Sequence, residues 1–452
     1  MPVPIRPYVL AMGLWLTACQ SVDPRMVEAR TASLYPHRAG ASAAADATES
    51  PSLDEVRRTA SLASYLNFGL RHSGTLRNAY ETWRAAVERT AQTTSLPDPV
   101  ASFSQFVEDL QTRTGPQRRR YGLTQNVPWP GKLRQRGRIS EARAEELWQQ
   151  VEARRLAVQR DIAVTFHEYG YLGQSLRIKQ RVLELLRQLE PVVQSRIRAG
   201  AGQQDLLRLQ VEIGRVENDL ASLVEIRPAL SARLAAAMGY PSDDLLPLPE
   251  TSEPTLRKVD RARLVELAAD RNPKVREFAA AVVRHRHALE LSQTERWPDL
   301  SVGVDYLETG SAVNPATPGS GRDPWAWRVG FSVPIWVHRY DAAERQAEHE
   351  LTAASAALHQ LRGDLRADVE HAGFALNDAL RQVALYRDTL LPRARELLDV
   401  TRAAYRAGRA ALLDLLDSER SLLDFEVGYW RATRDYLQSE ARVAALVGGG
   451  FR

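Results

Sequence analysis

The chain has 452 residues, of which 44% are hydrophobic and 26% charged, and this balance excludes a disordered protein. The formal net charge is only +4. Because arginine and glutamate are interspersed along the chain and no basic block stands apart, we expect no nucleic-acid partner. Cys19 is the single cysteine, and a chain without other thiols is suited to export into an oxidising compartment.

The N-terminus has the pattern of an export signal. Arg6 precedes an apolar run from Tyr8 to Leu16. This run is much shorter than the roughly 20 residues that a membrane-spanning helix needs. It ends in the tetrapeptide Leu16-Thr17-Ala18-Cys19, which resembles a bacterial lipobox.

We therefore expect residues 1–18 to be a lipoprotein signal peptide that is cleaved before Cys19. Cys19 would then carry a covalent lipid, and residues 19–52, rich in Ala, Ser, Asp and Arg, would form a tether. In such signals a residue other than aspartate after the cysteine, here Gln20, indicates the outer membrane. The alternative is a chance cysteine in a cleaved peptide.

Residues 53–239 are expected to form a first structural repeat. Apolar residues recur at helical spacing from Leu53 to Ala91, and prolines then end the helical run. A β-hairpin is predicted at about 99–128. Helical spacing resumes at Gly131 and continues, with a break at residues 199–202, to the end of the repeat.

A second repeat, residues 260–447, follows a proline-containing linker at 240–259 and precedes a tail at 448–452. Gly330-Phe331 matches Gly122-Leu123 at an offset of 208, and the two helical breaks match at the same offset. A register that is unchanged over some eighty residues is expected of packed helices and unexpected of loops. The second β-hairpin is predicted at about 299–334.

The strands of the second hairpin alternate strictly between apolar and small or polar residues. Leu300, Val302, Val304 and Tyr306 share one face, and so do Trp327, Val329, Phe331 and Val333. About nine such residues match a tilted strand of a membrane barrel. Four strands have open edges, which lipid does not tolerate, so several chains must close one barrel.

Tryptophans are predicted at two levels of these strands. Trp129, Trp297 and Trp336 lie where a strand joins a helix, whereas Trp325 and Trp327 lie at the opposite end of the second hairpin. Two aromatic levels one strand apart are typical of the girdles of an outer-membrane barrel. The alternative is that these tryptophans belong to the core of a soluble sheet.

With these features the chain resembles the TolC-type outer-membrane efflux ducts from about residue 53 onward. The resemblance rests on the duplicated unit and on three motifs: Val127-Pro128-Trp129-Pro130-Gly131-Lys132-Leu133, Tyr405-Arg406-Ala407-Gly408 followed by Leu413-Asp414-Leu415-Leu416-Asp417, and Gly448-Gly449-Gly450. It implies a mainly α fold with a small membrane β-barrel portion. Three chains would form a twelve-stranded barrel that continues as an α-helical periplasmic tunnel.

The resemblance also implies a function and partners. The homotrimer would be a passive outer-membrane duct, lipid-anchored and membrane-spanning, with most of the chain in the periplasm. Its partners would be outer-membrane lipid, a periplasmic adaptor protein and an inner-membrane pump of the resistance-nodulation-division type. The strand end and the lipobox are most like members that serve heavy-metal efflux, although drug-efflux members are close.

Two site predictions follow from the motifs. The helical turns of the two repeats are expected to be tips that dock the adaptor; ordinary helix capping is the alternative. The tip residues are Arg198, Ala199, Gly200, Ala201, Gly202, Arg406, Ala407, Gly408, Arg409 and Ala410. Asp414 and Asp417, three apart on one helix face, are expected to form an acidic periplasmic gate; the alternative is that they favour a helix N-terminus.

Enzymatic chemistry has no support in the sequence. We find no phosphate loop and no nucleophile or carboxylate arrangement, and we expect no enzyme, no metal site and no cofactor beyond the lipid on Cys19. His285 and His287 fall on nearly opposite helix faces and cannot chelate one ion. The alternative to a duct is a periplasmic coiled-coil lipoprotein that scaffolds an envelope complex.

Overall fold

The computed structural model describes residues 23–34, 53–198, 202–242, 244–249, 253–314 and 316–451. The predicted signal peptide, Cys19, most of the tether and the tip residues Ala199, Gly200 and Ala201 lie outside the described residues. The expected lipid site and the centre of the first tip are therefore among the residues that the structure does not describe.

Helices dominate the described chain. In order they are α1 (Pro24–Leu34), α2 (Leu53–Thr59), α3 (Leu62–His72), α4 (Gly74–Thr94), α5 (Pro130–Arg198), α6 (Gln204–Ala237), α7 (Arg261–Arg271), α8 (Pro273–Thr294), α9 (Val337–Leu385), α10 (Leu391–Arg406) and α11 (Leu412–Leu446). A π-helical turn, Tyr386–Leu390, joins α9 to α10. Four strands complete the chain: β1 (Val100–Thr112), β2 (Gly115–Val127), β3 (Leu300–Thr309) and β4 (Trp325–Phe331).

The order of elements repeats. A helix, a hairpin, a long helix and a further helix occur first from α4 to α6 and again from α8 to α11. The mainly α fold with a small sheet is thus confirmed. Among the described helices, none has both the length and the apolar composition of a membrane span.

One compact unit comprises residues 23–33, Thr82–Trp148 and the described residues of Glu277–His359, and it contains the sheet. The sheet is antiparallel throughout, in the order β1-β2-β3-β4, so the two hairpins join through β2 and β3. Its register places Tyr121 opposite Tyr306. β4 ends at Phe331, two residues before the end of the alternation predicted through Val333, and Pro334, which has no N–H for a ladder, follows.

The other compact unit comprises the described residues of Leu34–Glu81, Gln149–Arg276 and Gln360–Arg452. Two hydrophobic clusters are found among these described residues. The first contains the fully buried side chains Tyr65, Ile162, Tyr169, Leu234, Met238 and Leu246. The second lies beside the turn between α10 and α11 and contains Leu186, Val193, Leu209, Leu398, Tyr405, Leu412 and Leu415.

The helical run predicted from Leu53 is divided into three helices. Ala60 has a positive φ of 41°, and Ser61 then caps α3 by accepting a hydrogen bond from the Ser64 N–H at 3.3 Å. Ser73 caps the next helix by accepting from the Leu76 N–H. A serine side chain accepts hydrogen bonds from backbone N–H groups, which favours serine at helix caps over helix interiors. Apolar spacing alone did not reveal these breaks.

The segment predicted as a linker is packed into the protein along part of its length. Leu246 is 1% exposed and belongs to the first cluster. Its carbonyl accepts from the Tyr169 hydroxyl at 2.7 Å, and its N–H donates to Ser231 Oγ at 2.9 Å. Further along, Asn377 binds both the N–H and the carbonyl of Val259, at 3.1 and 3.0 Å.

Candidate functional site

The apolar face of the sheet carries a continuous aromatic row. Phe103, Tyr121, Tyr306 and Trp325 are in register across all four strands. Their exposed fractions run from 42% to 70%, so the row lies on the surface and not in a core. Such a row at one end of an apolar strand face is expected of a lipid interface.

The second tryptophan level occupies the opposite end of the same strands. Trp129 and Trp297 stack with ring centroids 5.2 Å apart and an interplanar angle of 12°. Trp336 is 61% exposed just before α9. Between the levels lie Leu123, Val302, Val304, Trp327, Val329 and Phe331, all exposed. The structure therefore brings the predicted interface residues into two levels, with Trp327 one row inside Trp325.

A hydrogen-bonded network connects the strands to the helices at the tryptophan pair. The Lys132 side chain is 3% exposed, and its ammonium lies 2.9 Å from Asp299 Oδ1 and 3.7 Å from Glu295. Asp299 also accepts from the Trp129 N–H at 2.9 Å. Burial acts to raise the pKa of Asp299, but these donors outweigh it and the pKa is lowered.

The polar face of the sheet holds a charge cluster that the sequence motifs did not indicate. Asp305 accepts from Arg120 Nε at 3.1 Å and from Arg328 Nη2 at 3.1 and 2.9 Å. A second Arg120 nitrogen lies 3.0 Å from the other carboxylate oxygen. These residues come from three strands, and the register of the sheet brings them together. The charged residues on the face of small residues were the one feature of the sequence that could have indicated this cluster.

The second helical turn has the geometry of a Schellman motif. Gly408 has φ +72°, its N–H donates to the Tyr405 carbonyl, and the Arg409 N–H donates to the Ala404 carbonyl at 2.9 Å. Arg196, near the end of α5, donates to the Tyr405 carbonyl and stacks 4.0 Å from the Tyr405 ring. Arg196 is a residue of this site that sequence reasoning missed.

The described tip residues are on the surface. Arg198 and Gly202 are exposed on either side of residues 199–201, which the structure does not describe, and Arg406, Ala407 and Arg409 are exposed at the second turn. Ala410 is partly buried against the second hydrophobic cluster. Exposure at a turn is compatible with docking, and the docking role stays a prediction.

Asp414 and Asp417 are both exposed and share one face of the first turns of α11. Asp414 Oδ2 accepts from the Ala411 N–H at 3.0 Å, so this carboxylate caps the helix. Downstream, the pKa of Arg420 is raised chiefly by its hydrogen bond to Glu212, with a smaller contribution from Asp417. Asp414 thus has a capping contact and Asp417 an electrostatic one, and the gate stays a prediction.

No group of three or more His, Cys, Asp or Glu side chains in the described part of the chain is arranged to hold a metal ion. His287 contacts Glu290 at 3.1 Å, and His285 lies 3.6 Å from Glu350. His285 and His287 therefore contact the carboxylates of different glutamates.

An amphipathic sheet with two aromatic levels and long paired helices defines a membrane-channel class of protein. The family model "Outer membrane efflux protein" matches residues 264–449. Nodulation protein T of Rhizobium leguminosarum bv. trifolii is 23% identical over 420 residues, covering 86% of each chain.

Two solved structures share the fold. The outer membrane protein VceC of Vibrio cholerae superimposes with a TM-score of 0.69 at 17% identity, covering 89% of this chain and 100% of VceC. The open state of the Neisseria gonorrhoeae MtrE channel gives a TM-score of 0.69 at 18% identity, covering 86% and 89%. Residues 264–449 are thus similar to the outer membrane efflux protein family, and most of the chain shares the fold of solved outer-membrane channels.

Proposed function

We propose that this chain is the outer-membrane duct of a tripartite efflux system and acts as a homotrimer. The sheet is the observation that supports this proposal most strongly. One of its faces is apolar and exposed, as a lipid-facing surface would be, yet within the described chain β1 and β4 each pair with a strand on one side only. An unpaired strand edge in hydrocarbon leaves backbone groups without partners, at several kcal/mol each. Three copies that pair β4 of one with β1 of the next would remove every edge.

The helices give independent support for self-association. Leu207 and Val211 on α6 are 58% and 72% exposed, and Leu397 and Val400 on α10 are 52% and 64% exposed. Each pair has the spacing of one helical face. Contiguous exposed apolar side chains indicate a protein interface, and neighbouring protomers in a helical tunnel would cover these.

The remaining partners follow from the proposed duct. The two turns would dock a periplasmic adaptor, with an inner-membrane pump of the resistance-nodulation-division type behind it. A lipid on Cys19 would add a second attachment to the outer membrane. The cargo would be heavy-metal cations or small toxic compounds that leave through the passive pore.

A docking test uses two exposed alanines of the same helix end. Ala407→Trp would place a bulky ring at the second turn, whereas Ala403→Trp would place it one turn earlier. We expect Ala407→Trp to abolish export while the trimer persists on a semi-native gel, and Ala403→Trp to export normally. Normal export by both variants would refute docking at this turn.

Membrane extraction tests the duct against the scaffold. A duct trimer should stay in the outer-membrane fraction through salt and carbonate washes and dissolve only in detergent. Because a lipid alone could hold a scaffold, the same extraction is repeated with Cys19→Ser, which leaves the sheet unchanged. Retention of this variant supports the duct, and its release by carbonate supports a lipid-anchored scaffold without a pore.

A further inference from the structure

The charges on the polar face of the sheet do not balance. In the regularly paired part of the sheet, this face is otherwise formed by small, neutral polar or apolar residues, among them Ser102, Gly122, Thr124, Ser301, Gly303, Ala326 and Gly330. Arg120 and Arg328 share one carboxylate, that of Asp305. Within the regularly paired part of the sheet, each protomer therefore keeps one uncompensated positive charge on the polar face.

The cluster is built into the sheet. The Asp305 side chain is 6% exposed, whereas those of Arg120 and Arg328 are 42% and 53% exposed. A Cβ atom at Gly122 would lie 2.5 Å from Ser102 Oγ and 2.8 Å from Asp305 Oδ1, so a larger residue there would displace one of these side chains. Asp305 thus anchors both guanidinium groups and is itself covered, while the guanidinium groups face outward.

The anchored arginines keep donors available for a ligand. Asp305 uses the Nε side of Arg120 and one terminal nitrogen of Arg328. Within the described chain, Arg120 Nη1 and the Nε and Nη1 groups of Arg328 have no hydrogen-bond partner. Guanidinium N–H groups in a fixed plane suit carboxylate and phosphate oxygens better than a point charge does.

We propose that Arg120 and Arg328 form an anion-selective ring in the strand-lined part of the duct, so that anionic compounds are favoured over bare metal cations as cargo. This inference rests on the proposed trimeric duct, in which the polar face lines the pore. Basic rings select anions in pores because they attract the passing ion without holding it in a closed site.

Two substitutions of the same cluster make opposite predictions. Arg328→Gln removes the uncompensated charge and should lower the chloride-to-potassium permeability ratio by about twofold or more. Asp305→Asn releases a second positive charge and should raise the same ratio. Both variants break the cluster, so a purely structural effect would move them in the same direction.

Reversal potentials in planar bilayers under a KCl gradient measure this ratio. Arg119→Gln is the matched control, because Arg119 neighbours Arg120 but pairs with Glu308 on the opposite face. Each variant is also made with Asp414→Asn and Asp417→Asn, so that a closed acidic gate does not mask the pore. The shifts should shrink in 1 M salt, where the Debye length falls to about 3 Å.

Trimer bands on semi-native gels confirm that each variant assembles. Opposite shifts for Arg328→Gln and Asp305→Asn, with Arg119→Gln unchanged, support the ring. Unchanged ratios, or shifts in one direction, in conducting trimers overturn the ring while leaving the duct intact. If neither the parent nor the variant with Asp414→Asn and Asp417→Asn conducts ions, the duct itself is contradicted, and the ring with it.

Discussion

A single residue, Gly408, determines the conformation of the turn between α10 and α11. Gly408 adopts a left-handed φ of +72°, and a Cβ atom added there would have no neighbouring atom within 4 Å, so backbone conformation and not space requires glycine. Gly363 has equally open surroundings but lies within α9, where glycine is a poor helix former.

The same substitution should therefore have opposite effects at these two glycines. Gly408→Ala should lower the free energy of unfolding by about 1 kcal/mol, because a left-handed alanine is strained. Gly363→Ala should raise it by about 0.5–1 kcal/mol. Denaturant titration of the detergent-solubilised protein checks both values, and equal effects would show that the turn imposes no conformational demand.

His167 should make the protein sensitive to acid. Desolvation by burial lowers its pKa to about 4, so the folded protein holds the imidazole neutral. Between pH about 6.5 and 4 the unfolded chain binds a proton that the folded chain does not. Stability is therefore full above pH about 6.5 and falls as the pH decreases, by up to about 3 kcal/mol.

Thermal unfolding at pH 7 and pH 5 measures this effect. His167→Gln should retain more of its pH 7 stability at pH 5 than the parent does, because glutamine cannot take up a proton. His371→Gln, a substitution of an exposed histidine on α9, is the control and should behave as the parent does. A parent-like loss in His167→Gln would contradict the assignment.

At the scale of elements, the junction of strands and helices depends on one buried lysine. Lys132, at the start of α5, follows β2, and its partners Asp299 and Glu295 precede β3, so it joins the end of the first hairpin to the start of the second. A buried ammonium is tolerated because it is paired, and the two carboxylates lose that partner if it is removed.

Lys132→Met should lower the free energy of unfolding by about 1–2 kcal/mol, less than for a fully buried pair because Asp299 is 42% exposed. Arg134→Met, two residues later on the same helix and exposed, is the control and should change it by less than about 0.5 kcal/mol. Equal losses in denaturant titration would mean that the junction depends on packing alone.

At the scale of the whole molecule, the acidic pair is tested by permeation. Asp414→Asn with Asp417→Asn should cost about 0.3–1 kcal/mol per residue as a helix-end effect whether or not a gate exists. Only a gate also predicts a change in conductance and in block by divalent cations, because three copies would bring the carboxylates together.

Planar-bilayer recordings of the double variant distinguish these possibilities. Asp260→Asn, which changes an exposed carboxylate at the start of α7, is the control for loss of charge at a helix N-terminus. If conductance, cation preference and divalent-ion block of the double variant all match the parent, Asp414 and Asp417 are helix caps and the constriction lies elsewhere.

The type and order of the elements could be read from the amino-acid sequence alone. Alternation such as Leu300–Val302–Val304 reflects the direction of successive side chains along one strand, and helical spacing reflects the same property along one helix. Both patterns are local, so a single sequence shows them. The duplication, the strand faces and the glycine at position 408 were predictable for this reason. The division of residues 53–94 into three helices was not, because short serine caps resemble an ordinary polar face.

The contacts between elements, by contrast, came from the tertiary structure. Asp305, Arg120 and Arg328 stand on three strands, and their cluster exists because the register of the sheet aligns them. Arg196 reaches the Tyr405 carbonyl from another helix, and Leu246 enters the core from a segment whose composition resembles a linker. Such contacts depend on strand register and helix packing over long sequence separations, and these are properties that no local pattern in a single sequence specifies.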